Sequence, residues 1–324
     1  MAGTLEDDAS QDAPPVSVRS SKRITLGDRE GALAWLFLLP SVVYIVGLVA
    51  IPFFLAIGFA FSDVSAGDPS YDFAGLRNYR RAFADPVFWT SLRNTFVITV
   101  ITMILVVVLG TILSNILVAD FRGKWVVRFL VLLPWTTPVS LSSVTWLWLL
   151  DSIYSPIDWV MREVGLLGPD TLFGPTGNMY WLGKPGLATA SVIMVQTWRL
   201  VPLAAVIIMA GLAAIPDDLD EAARVDGAGF WRRMFEITTP LIMPVVAVAT
   251  LFAAIFTFTD MAVVYVLTRG GPTNSTQVLA SWAYYKGIEG GDIAQGAAIA
   301  LFLFPILLAA AVAILRSVRK VEVL

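Results

Sequence analysis

The chain has 324 residues, 57% of them hydrophobic and only 15% charged, and its mean hydropathy of +0.76 marks an integral membrane protein and excludes an ordinary soluble domain. A net charge of -3 on separated polar segments excludes the continuous basic surface that nucleic acid requires. Cysteine and histidine are both absent, which removes disulfides, thiolate chemistry, histidine metal ligation and the commonest general base together.

Residues 1–31 are polar, with Arg19, Lys22, Arg23 and Arg29 near their end, and predict a mobile cytoplasmic tail. The apolar stretch 32–61 is far longer than the ~7–15-residue core of a cleaved signal. It predicts a first membrane span, bent at Pro40 and Pro52. Five further runs, near 95–119, 127–150, 186–214, 242–268 and 294–315, reach the ~20 apolar residues that a crossing helix needs. The pattern therefore predicts an all-α bundle of six spans over 32–316, with both ends on one side. Thirteen Lys and Arg fall on the side of the tail and eight opposite, which places the tail and the short C-terminal piece 317–324 inside.

Between the first two spans, FAGLRNYRRAFADPVFWTSLRNT from Phe73 reads as an amphipathic segment lying along the interface. Phe88 and Trp89 would anchor it, and Asn94 or Thr95 would cap the second span. The third run, from Leu130, holds Pro134 and Pro138. The carbonyls they free need partners, so this span is expected inside the bundle. Residues 151–184 form an outer loop rich in glycine and proline.

Within the fourth and fifth runs, two ionisable residues interrupt apolar sequence: Arg199 in VQTWRLVPL and Asp260 in FTFTDMAVV. A charge in the bilayer costs ~2.5–3.5 kcal/mol on insertion scales, so each should face the bundle interior, a partner or a water-filled path. Phe256, Thr257 and Asp260 stand at i, i+1 and i+4, which on a helix presents an aromatic face, a hydroxyl and a carboxylate together. Such a set holds a sugar, whose ring packs on the aromatic while its hydroxyls meet the charge. Gln196 and Arg199, one turn apart and flanked by Trp198 and Pro202, would form the opposite wall. The other reading is that Arg199 and Asp260 neutralise each other, or pair with a partner subunit, and touch no ligand. Trp146, Trp148, Trp181 and Trp282 read as interfacial or core residues rather than sugar platforms.

The segment 215–244, IPDDLDEAARVDGAGFWRRMFEITTPLIMP, carries six acids and three arginines and belongs in water between two spans. It predicts a helix capped by Asp217 or Asp218, with Glu221 placed as in a capping box and Gly227 as the stop. A second helix follows, with Phe230, Met234, Ile237 and Leu241 on one face, ended by Pro240 and Pro244.

The run EAARVDGAG followed by FEITTPLIMP resembles the EAA loop of importer-type ABC permeases. The Gly-Leu-x-Asn-Tyr and Phe-Trp-x-Ser-Leu-x-Asn-Thr elements after Phe73, and the LTRGGP run from Leu267, are similar to the carbohydrate branch. Over nearly all of 32–316 the chain thus resembles the MalF-like permeases of binding-protein-dependent sugar importers, which implies the type I ABC importer architecture. The resemblance implies that Glu221, Ala222, Ala223, Asp226, Gly227 and Pro240 form a cytoplasmic coupling loop docked on a separate ATPase. It also implies substrate contacts near the midplane from Gln196, Arg199, Leu200 and Leu203 with Phe256, Thr257 and Asp260. Several members have asparagine where this chain has Thr257 and Asp260, and a smaller residue near Leu200. The implied partners are a second homologous permease, two ATP-binding cassette subunits and an extracytoplasmic solute-binding protein, in a bacterial cytoplasmic membrane with both termini inside. No Gly-x-x-x-x-Gly-Lys-Ser/Thr loop occurs in the sequence, so ATP and Mg belong to the partner, and the chain has no cofactor, metal or catalytic residue of its own. A cargo of glycerol phosphate or its diesters is the nearest alternative, though phosphate asks for more basic partners than Arg199 beside Asp260. A membrane enzyme would need a nucleophile with a base, and a passive channel would need no ATPase.

Overall fold

The computed structural model describes residues 26–68, 70–173 and 177–319. The tail arginines and lysine at 19–23 and the end at 320–324 lie outside the described residues. The chain divides into two units, 1–54 and 55–324.

In the first unit, helix α1 (Leu26–Ile45) begins ahead of the boundary expected at 31, and it carries Pro40 without ending. A π turn, Val46–Ala50, follows and leads into α2 (Ile51–Ala60). Pro52 explains the π turn. Proline has no N–H to donate and its ring crowds the carbonyl four residues back, and a widened turn relieves both problems. The Ile51 N–H bonds the Val46 carbonyl across that wider turn.

The second unit takes in the end of α2 and continues with α3 (Arg77–Ala84) and α4 (Pro86–Val118). The second span thus starts at Pro86, well before the expected 95. Asp85 caps it, its carboxylate accepting the Val87 N–H at 2.9 Å, and proline at the first helical position needs no donor partner. Asn94 and Thr95 are therefore not caps. They lie more than two turns inside α4 and tie it to the chain before the Leu279 helix. Asn94 Nδ2 donates to the Asn274 and Gln277 carbonyls, each at 3.0 Å, and Thr95 Oγ1 accepts the Leu279 N–H at 2.9 Å. Phe88 is not an interfacial anchor either, because it is buried and packs edge-on against Phe83 and Phe302. Trp89 remains exposed.

The third run is broken. Helices α5 (Lys124–Thr136) and α6 (Val139–Leu149) meet at 95°, because Thr137 adopts the extended conformation, φ -75° and ψ 135°, that a following proline imposes. The expected interior position is not found: α5 buries no residue and α6 only Ser142 and Ser143. At the break the Thr137 N–H and Oγ1 both donate to the Leu133 carbonyl, at 3.1 and 2.7 Å, so the last turn before Pro138 is closed within the chain.

After the short helix α7 (Pro156–Glu163), α8 (Pro185–Ala213) is the most enclosed element. It lies along α4 at close range, with Gly110 facing Ala204, where an added Cβ would come within 2.9 Å of the alanine methyl. Small residues of this kind let membrane helices approach. Next come α9 (Asp217–Val225), the single turn α10 (Phe230–Arg232), a π turn (Arg233–Thr238) and α11 (Thr239–Phe258). Pro240 and Pro244 do not end a helix here. A continuous 29-residue rod runs from Phe230 to Phe258, and the π turn precedes Pro240 as the earlier one precedes Pro52. Thr239 Oγ1 donates to the Met234 carbonyl at 2.7 Å. The π turn also breaks the expected shared face, leaving Phe230 and Leu241 exposed. Helices α12 (Ala262–Leu267), α13 (Leu279–Tyr284) and α14 (Ile293–Arg319) complete the fold.

Among the described residues, five helices are long and apolar enough to cross a membrane, and the count is six when the bent α5–α6 pair is one span. The all-α membrane architecture expected from the sequence is what the structure has. Its core is layered around α8. One cluster gathers Ile98, Leu150, Val192 and Val263, and another gathers Val106, Leu200, Ile208 and Ala253.

Candidate substrate and coupling sites

Gln196 and Arg199 lie on the buried face of α8. Asp260 is not one turn beyond Phe256 on a helix, because α11 stops at Phe258 and Asp260 sits in the break before α12. There its Oδ1 accepts the Val263 N–H at 3.0 Å, which caps the following helix. Its Oδ2 lies 3.3 Å from Arg199 Nη2, with the two side chains only 7% and 8% exposed. The same Nη2 donates to Gln196 Oε1 at 2.8 Å. The two walls expected from the sequence are thus joined by an ion pair, with the amide as a third member.

Arg199 Nε and Thr257 Oγ1, like Thr197 Oγ1 close to Arg199 in the chain, are buried without a protein partner. Phe256 stacks near Phe252, centroids 6.0 Å apart, and meets Trp135 edge-on at 5.3 Å. Leu200 is fully buried in the apolar cluster with Val106 and Ala253, so its side chain packs the helices together. Leu203 is half-buried one turn beyond Arg199. Of the tryptophans expected at the interface or in the core, Trp146 and Trp181 pack against the Val192 cluster, Trp282 against the Phe88 cluster, and Trp148 is exposed. A guanidinium, a carboxylate and an amide fixed together offer donors and acceptors to adjacent hydroxyls with no net charge.

In the loop, α9 starts at Asp217 with Pro216 in the cap position and no capping side chain. The expected Asp218–Glu221 box does not form, since both residues lie within the helix. Gly227 does end it. At φ +75° its N–H reaches the Arg224 carbonyl at 3.0 Å, and the Ala228 N–H reaches that of Ala223 at 2.9 Å, the two bonds of a Schellman motif. Glu221, Ala222 and Asp226 are exposed, while Ala223 turns inward and is buried. Pro240 stands apart from them, on the rod entering the membrane. Sequence reasoning missed the apolar side of this hairpin. Val225 is 88% exposed, and Phe230, Trp231 and Phe235 are exposed too, with Trp231 stacked on Phe235 at 5.9 Å. Aromatic residues among so many charges were the available signal.

Asp220 binds the hairpin's two halves. Its Oδ2 takes Arg224 Nε at 2.9 Å and Nη2 at 2.7 Å, and its Oδ1 takes Arg233 Nη1. Partial burial alone would raise this carboxyl, but the hydrogen bonds and charges of Arg224 and Arg233 hold it below its ordinary value.

The 151–184 loop has an organising residue that the sequence did not reveal. Asp158, 1% exposed, accepts the Met179 N–H and the Trp181 indole N–H, each at 2.7 Å. Among the described residues no cluster of acids could hold a metal ion.

The profile of the family described as the binding-protein-dependent transport system inner membrane component matches residues 106–322. A sulfoquinovosyl glycerol transport system permease of Agrobacterium fabrum is 32% identical, over 93% of this chain and 94% of its own. A trehalose/maltose transport system permease of Thermococcus litoralis is 30% identical, over 90% and 95%. In fold, the chain is similar to a subunit in the crystal structure of a bacterial ABC transporter that imports the acidic polysaccharide alginate. The TM-score is 0.75 and the identity 18%, covering 91% of this chain and 97% of that one.

Proposed function

Because the chain belongs to the family of inner membrane components of binding-protein-dependent transport systems, we propose that it is one permease subunit of an ATP-driven importer for a sugar of di- or oligosaccharide size. A second permease completes the pore, two ATP-binding cassette subunits dock at the 215–244 hairpin from the cytoplasm, and an extracytoplasmic binding protein delivers the sugar. An alginate transporter of similar fold is known in complex with an oligosaccharide-bound periplasmic protein, which supports the last of these. The observation that carries the reading is the rod from Phe230 to Phe258, which runs from the hairpin to Phe256 and Thr257 and ends two residues short of Asp260.

Closure of the ATPases on ATP displaces the hairpin, the rod tilts with it, and the Gln196–Arg199–Asp260 site opens first outward and then inward. No bond in the sugar changes. Asp260 already neutralises Arg199, so the wall offers no free cation to a phosphate, which favours a neutral sugar over glycerophosphodiesters. The test is uptake by proteoliposomes holding the complete transporter. Labelled maltose- or trehalose-like sugars should enter only with internal or regenerated ATP, and Glu221→Ala should abolish entry. Flux without ATP, or preference for glycerophosphodiesters, would overturn the reading.

A further inference from the structure

Asp220 stands one residue before the Glu221-Ala222-Ala223 element and Arg233 lies beyond Gly229, so neither is among the coupling residues already named. Asp220 is on α9, whereas Arg233 is the first residue of the π turn that leads into α11. Among the described residues, their ion pair is the one salt bridge that crosses from the first helix of the hairpin to the rod. Arg224 steadies the Asp220 carboxylate from the next turn of α9. Arg233 is only 20% exposed and its Nε is buried without a partner, so its position depends on the Asp220 contact. A cavity of about 190 Å³ lined by Thr111, Asn115, Asp220, Arg233, Thr238 and Thr239 leaves the pair room to shift beneath α4. From Arg233 the rod rises roughly 35 Å to Phe258.

Building on the function proposed above, we propose that Asp220 and Arg233 are positioning residues that tie the ATPase-docked helix to the rod, so that displacement of α9 becomes tilt of α11. Glycine at 227 and 229 leaves the turn between the two helices pliant. A pliant turn alone would let α9 move without its neighbour, and the ion pair closes that gap.

The experiment uses the whole transporter in proteoliposomes and reads sugar taken up per ATP hydrolysed, together with retention of the ATPase subunits. Asp220→Asn and Arg233→Met should each keep the ATPase bound and hydrolysing yet lower the ratio about fivefold, the scale of a partly exposed ion pair. The double variant should fall no further than the worse single one, since both remove the same contact, and Arg233→Lys should restore most of the ratio. Wild-type ratios in the single variants, multiplied losses in the double, or loss of the ATPase from either single variant would each overturn the tie. Glu221→Ala serves as the reference. If it leaves ATP-driven uptake intact, the functional reading itself fails; if it abolishes uptake while Asp220→Asn changes nothing, only the tie fails.

Discussion

Arg199 and Asp260 are each tolerable in a membrane only because of the other. Removing one partner of a buried pair leaves an uncompensated charge, at a cost of about 3–5 kcal/mol. Arg199→Met should therefore lower the thermal unfolding temperature of the solubilised complex markedly, and Arg199→Met with Asp260→Asn should recover most of the loss. If the carboxylate also binds sugar, the double variant will be stable and inactive; restored uptake in that variant would assign the pair to structure alone. Both residues were legible in the sequence because an ionisable side chain in an apolar run is conspicuous. Asp158 was not, because an acid in a loop of glycines and prolines looks solvated until the Met179 and Trp181 donors are seen around it.

The elements were legible in their middles and not at their ends. Apolar run length located every long helix, since burial in lipid depends on summed hydrophobicity. Ends depend on particular contacts. Asp85 with Pro86 moved the start of α4 ahead of Asn94, and the π turn before Pro240 carried a helix through the proline that was expected to stop it. The break at Thr137 and the stop at Phe258 lay inside stretches that hydropathy alone read as continuous. The Asp158 contacts make the 151–184 loop an element in its own right. Asp158→Leu would strand two partly buried donors at about 1 kcal/mol each, the low end for an unsatisfied group, and protease added from outside should then cut within 151–184 faster than in the parent, with α8 still intact. Unchanged cleavage would mean the loop is held by other contacts.

For the whole molecule, the bent α5–α6 pair decides the topology. If it crosses, both chain ends share a side; if it dips in and returns, they do not. The sequence contains no cysteine, so single replacements at exposed positions report sidedness directly. Phe121→Cys and Val225→Cys should react with an impermeant thiol reagent only from the cytoplasm, and Leu172→Cys only from outside. Phe121 labelled from the same side as Leu172 would show that the pair is re-entrant.

The π turn at Arg233–Thr238 also fixes a compass bearing. One residue more than an α-helical turn advances everything downstream by about 100° around the axis. Excising a single amino acid there would hardly shorten the rod, yet it would swing Phe256 off Trp135 and carry Asp260 away from Arg199. The heading of Phe256 and Asp260 is thus set roughly six to seven turns away along the rod, and an indel in that stretch should abolish uptake even where those two side chains are untouched.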